Sequence, residues 1–143
     1  MLQYLVKRKF TKEGNTLELS NISDNILLRY ITNIMSHLSV PDHLKGYYYL
    51  RTAILLCVRE MAAATDASRP LYPTIAKQFR TTESNVKRDM RSAIEVSWNH
   101  GNTEAMEKMF GYSMKSGRPK PTNSEFIARV ADKIRLDVKG YMM

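Results

Sequence analysis

A single cysteine, Cys57, stands among 143 residues. The chain can therefore form no internal disulfide, and it reads as a protein of a reducing compartment, the cytoplasm. Within its apolar helical stretch Cys57 reads as a small core residue, not a nucleophile. The six glycines are dispersed, so they build no phosphate-cradling loop. His37, His43 and His100 have no metal-ligand spacing with Cys57 or with a carboxylate pair, which leaves metal and acid–base chemistry without its residues. We expect no enzyme, no metal and no cofactor. No apolar run approaches the ~20 residues that cross a bilayer. The apolar start, Met1 to Val6, is followed and not preceded by its charges, Lys7, Arg8 and Lys9, the reverse of a secretory signal. Acidic residues are scarce as well: 14 stand against 22 basic ones, for a net charge of +8. That excess suits a polyanion, nucleic acid ahead of a membrane surface, because Lys and Arg release counterions when they neutralise phosphates.

What is present is apolar material for one core. With 43% hydrophobic and 25% charged residues over 143 positions, the chain reads as one globular domain with no room for a second, enzymatic one. The most informative stretch is Ile75 to Arg91. Ile75, Ala76 and Phe79 line one face of a short helix, a polar turn covers Arg80 to Thr82, and Val86, Met90 and Ala93 or Ile94 form the inward face of a second helix. Ala76 supplies the small residue that a steep helix crossing needs. Thr82 is an N-cap for the second helix, and Glu83 suits its positive end. This is the pattern of a helix-turn-helix. Ser84, Asn85, Lys87, Arg88 and Arg91 remain on the outer face, where such a helix meets a major groove. From Arg69 to Arg91 six basic residues face Glu83 and Asp89, so this segment holds half of the net +8. A solvated helix face would show similar charges; the spacing, the small residue and the cap favour DNA reading.

The rest of the chain divides in two. Residues 1–22 alternate apolar and polar at Leu2, Tyr4 and Val6 and again at Leu17 and Leu19, around a Glu13-Gly14-Asn15 turn. That predicts a short N-terminal β-hairpin, with a loose tail as the other reading. Residues 23–143 read as all helix. The spacing predicts a first helix over Asp24–His37, and a second from Pro41-Asp42 through Met61, with Gly46 inside it marking close backbone packing or a break. The helix-turn-helix follows the loop Ala62–Pro70, and its second helix runs to about Trp98, stopped by His100-Gly101-Asn102. A short helix covers Thr103–Phe110, and Gly111–Pro121 is a basic loop. A last helix is opened by the capping box Thr122-Asn123-Ser124-Glu125 and buries Phe126, Ile127, Val130 and Ile134.

Several longer runs carry a resemblance. Val40 to Arg51 (VPDHLKGYYYLR), Leu71 to Lys77 (LYPTIAK), Ala93 to Trp98 (AIEVSW), Phe110-Gly111-Tyr112 and Lys120 to Ala128 (KPTNSEFIA) together resemble the C-terminal effector domain of the sporulation-initiation response regulator of endospore-forming bacteria. The likeness covers about residues 25–139. It implies a six-helix, all-α domain that recognises TGTCGAA-type promoter boxes, often in tandem, and activates or represses transcription. Three departures stand beside it. No counterpart of the family's phosphorylated receiver domain is expected, since the 22 residues before this one are too few to fold as one. Asn85 stands where the family has an arginine that reads guanine, and Lys87 where it has a glutamate, whereas Ser84, Arg88 and Arg91 match. Lys139 matches a family lysine near the C-terminus, but the chain continues to Met143.

The expected roles follow from chemistry and from this likeness. Arg88 offers a planar fork for guanine O6 and N7. Ser84, Asn85 and Lys87 are base-contact candidates, Asn85 and Lys87 equally candidates for phosphate or for plain solvation. Arg91, Lys139 and Lys77 would hold phosphates and fix register. Glu104, Glu107 and Lys108 fall where the family contacts the polymerase sigma factor; an ordinary charged face is the other reading. We expect a cytoplasmic, nucleoid-associated regulator with double-stranded DNA as partner. A homodimer on tandem sites is a further expectation, with the hairpin as one source of a dimer contact and its packing on its own domain as the alternative. The rival function is a protein-interaction module that antagonises a related regulator or a sigma factor without productive DNA binding.

Overall fold

The computed structural model describes residues 19–60, 70–111 and 120–140. Among them are six α-helices and no strand: α1 (Asp24–His37), α2 (Lys45–Arg59), α3 (Leu71–Gln78), α4 (Glu83–His100), α5 (Thr103–Phe110) and α6 (Asn123–Gly140), preceded by a 3-10 turn at Leu19–Asn21. Most of the expected hairpin, residues 1–18, lies outside the described residues, as do residues 61–69, 112–119 and 141–143. At Leu19 the strand expectation is corrected. Arg59 at the end of α2 donates to the carbonyls of Leu19 and Ile22 and pairs with Asp24 at 2.8 Å, which winds this segment into a turn and seats Ile22 in the core.

Helix α1 starts where Ser23 Oγ accepts the Ile26 N–H at 3.3 Å. It buries Leu27, Tyr30, Ile31, Ile34 and Met35, the three- and four-residue spacing of one helix face. It ends in a Schellman motif. Ser39 is left-handed at φ 62, its N–H bonds Ser36 O, and Val40 N–H reaches back to Met35 O at 2.9 Å, satisfying carbonyls the helix leaves open.

Helix α2 begins at Lys45 and not at Pro41. Val40 is buried and Leu44 packs against the core, which bends Pro41–Leu44 into a separate turn closed by Leu44 N–H on Pro41 O and leaves Leu44 extended, at φ −91 and ψ 143. From there α2 becomes the hub: it packs against α1, α3, α4 and α6. The close approach expected at Gly46 is present, with Asp89 and Ala93 of α4 lying against its Cα. The remaining core joins α4, α5 and α6. Phe110 meets Trp98 and Phe126, with ring centroids 6.4 and 5.7 Å apart. The buried Ser97 hydroxyl donates to Leu38 O at 2.6 Å, so the one fully buried polar side chain of the core among the described residues is satisfied. Tyr30 of α1 donates to the Asp137 carboxylate of α6, which Lys133 also holds at 2.9 Å.

Candidate nucleic-acid interface

Helices α3 and α4 are joined by Phe79–Thr82. The first buries Ile75 and Ala76. It ends in a second Schellman motif, with Arg80 left-handed at φ 54 and Thr81 N–H bonded to Ala76 O at 2.9 Å. Phe79 closes the corner by packing edge-on against Tyr49 of α2, centroids 5.0 Å apart. Thr82 then caps α4 as expected, its hydroxyl accepting the Asn85 N–H at 3.1 Å, with Glu83 in the first turn.

On α4 the buried row is Val86, Met90, Ala93, Ile94 and Ser97. Helix geometry sets Ser84, Arg88, Arg91 and Glu95 opposite it, three or four residues apart, and all four are exposed. Arg88 is 68% exposed at its side chain and pairs with its neighbour Asp89 at 3.6 Å. Arg91 makes no ion pair with a described residue. This row points outward and carries two guanidinium groups.

The two flanks of α4 are occupied differently. Asn85 is half-buried, and its amide donates to Thr81 Oγ1 at 3.2 Å, which ties it to the turn. Lys87 pairs with Glu83 at 3.1 Å and lies over the Tyr72 ring, 5.1 Å from its centroid. Tyr72 itself is within hydrogen-bond distance of Ser124, 3.2 Å away on α6, and Asn123 donates its amide to Lys87 O at 3.0 Å. The start of α6 is thus fastened to the Lys87 flank. The capping box there is formed in both directions, Thr122 N–H to Glu125 at 3.2 Å and Glu125 N–H to Thr122 at 3.1 Å. The bond from the Thr122 backbone N–H first, and the Thr122 side chain next, hold the Glu125 carboxyl below the ordinary carboxylate range. Lys120 donates to Glu95 at 2.7 Å. That bond first, the Lys120 charge next and Arg91 last draw the Glu95 carboxyl below its ordinary range.

Not every expected site residue joins this face. Lys77 is exposed on the last turn of α3. Lys139 is exposed in the last turn of α6, roughly 24 Å along the helix axis from Asn123 at 1.5 Å per residue. Glu104 and Lys108 pair at 3.7 Å on exposed α5 positions, with Glu107 half-buried between them. Tyr72, Thr81, Lys120 and Asn123 were not singled out as contacts from the sequence. For Tyr72, Lys120 and Asn123 the partners lie on other elements, up to 52 residues away, where no periodicity could connect them; Thr81 meets Asn85 four residues on. Cys57 is half-buried, and burial pushes its thiol up, consistent with a packing residue. No described helix is long and apolar enough to cross a membrane. No group of three or more His, Cys, Asp or Glu that could hold a metal occurs among the described residues.

An all-helical domain that turns a guanidinium-bearing helix outward on a buried scaffold has the form of a DNA-binding transcription regulator. The family described as sporulation initiation factor Spo0A C terminal matches residues 31–134. The chain belongs to that family, the DNA-binding effector domain of the sporulation response regulator.

Proposed function

We propose that this chain binds double-stranded DNA sequence-specifically and regulates transcription through a helix-turn-helix made of α3, the Phe79–Thr82 turn and α4. The domain doing so spans residues 23–143, in the cytoplasm at the nucleoid. The observation that carries this reading is the outward row Ser84, Arg88 and Arg91, opposite a row on the same helix that is wholly buried. A helix held so firmly on one side presents a fixed set of donors on the other. Arg88, exposed and with no carboxylate from another element among the described residues, can fork onto guanine O6 and N7. Ser84 reaches a base edge or the adjacent sugar. Arg91, Lys77 and Lys139 hold phosphates, which set register without reading sequence. Asn85 and Lys87 lie beside the reading row, already tethered to Thr81 and Tyr72, and they adjust the preferred box away from the family's. Glu104, Glu107 and Lys108 present a charged face to a sigma factor, and two copies occupy tandem boxes as a homodimer on DNA.

The test is an electrophoretic titration of the chain against a duplex carrying a TGTCGAA-type box and against a scrambled duplex, repeated at rising salt. The expected result is tighter binding to the box and an affinity that falls steeply with salt. Equal affinity for both duplexes, or a complex indifferent to salt, would remove this function and favour a protein-binding module.

A further inference from the structure

A groove of about 420 Å³ runs along the flank of α4 between Lys87 and Arg91 on one side and the start of α6 on the other. Tyr72, Lys120, Asn123 and Ser124 complete its lining. We propose that this groove seats a backbone phosphate of the DNA strand bordering the major groove, with Lys120 and Arg91 as its cations. The inference rests on the DNA-reading role of α4 and adds a contact outside the outward row.

Three observations lead there. The first is charge: among the described residues Lys87, Arg91 and Lys120 line the groove and no carboxylate does. Glu83 and Glu95 lie at its margins, each engaging one lysine. An ammonium group has three donors, so each lysine keeps donors for an anion. The second is continuity. Arg91 belongs both to the outward row and, four residues after Lys87, to the row facing α6, so a strand following the rim of a major groove occupied by α4 passes from one to the other. The third is construction. The Tyr72–Ser124 contact and the Asn123 bond to Lys87 O fix both walls, and hydroxyl and amide groups from Ser124 and Asn123 sit beside the cations. A preformed site of this kind loses little side-chain freedom when a phosphate enters.

Lys120 has a second conceivable task, masking the Glu95 charge on a DNA-facing row, and the test separates the two. Fluorescence anisotropy of the whole chain with box and scrambled duplexes is measured over a salt series for wild type, Lys120→Gln, the double variant Lys120→Gln with Glu95→Gln, and Arg29→Gln on α1 as a cation elsewhere. Lys120→Gln should weaken both duplexes by the same factor, leave their ratio unchanged and lower the slope of log K against log salt by about 1. The double variant should keep the lowered slope, and Arg29→Gln should match wild type. An unchanged slope in Lys120→Gln, with wild type still preferring the box, would overturn the phosphate groove while leaving the reading helix intact. Full recovery of slope and affinity in the double variant would overturn it too, reducing Lys120 to a mask. A wild-type chain that binds neither duplex would overturn both readings together.

Discussion

Gly46 and Asp89 meet backbone to backbone: a Cβ added to Gly46 would lie 2.0 Å from the Asp89 carbonyl oxygen and 3.0 Å from the Ala93 Cβ. Intrinsic propensity alone would make Gly46→Ala stabilising by about 1 kcal/mol inside a helix. Here the added methyl must push α4 off α2, and overpacking dominates. We predict a net loss of about 2 kcal/mol or more, measured by urea unfolding. Unchanged or increased stability would show that the two helices separate readily at this crossing.

Arg80 provides the opposite case. Its φ of 54 holds a side-chain-bearing residue in the left-handed region that glycine enters freely. Arg80→Gly should raise stability by about 1 kcal/mol, since the relieved backbone strain exceeds the entropy a glycine adds to the unfolded chain. Thermal unfolding checks the sign, and a lower midpoint would mean that the Arg80 side chain contributes contacts of its own.

Arg88→Ala should weaken binding to the best duplex by about 1 to 3 kcal/mol and relax discrimination at one base pair, with little effect on the scrambled duplex. A uniform loss on both duplexes would assign Arg88 to a phosphate.

Asn85 and Lys87 should shift the preferred site away from the family's box. Asparagine pairs best with adenine and arginine with guanine, so Asn85→Arg should move the preference opposite that position toward guanine, as read by selection from random duplexes. Because this change also removes the bond to Thr81, unfolding of the variant is measured alongside. Recovery of the unmodified TGTCGAA-type box by wild type, with no gain from Asn85→Arg or Lys87→Glu, would show that both positions are tolerated and not retargeting.

How far the sequence spoke depended on the range of the interaction. The bounds Asp24–His37 and Thr103–Phe110 emerge as read, because Ser23, apolar spacing and Asn102-Gly111 punctuation act within one or two turns. The capping box at Thr122 and the cap at Thr82 are equally local. Pro41 misled because a good first-turn residue does not oblige a helix to start when Leu44 is drawn to the core. The outward row Ser84, Arg88 and Arg91 was legible from the period of α4. The engagement of Lys87 by Tyr72 and of Glu95 by Lys120 was not. Each joins residues whose proximity exists only after α2 has brought α3, α4 and α6 together.

That central position of α2 has a consequence for how a complex would form. One helix touches α1, α3, α4 and α6, so amides along α2 should exchange with solvent only through global unfolding, and α4 cannot detach from it locally without breaking the same contacts. In the proposed complex the reading helix therefore arrives already shaped. Adaptation falls to the duplex, and base steps that bend or twist easily gain an advantage even where no side chain touches them.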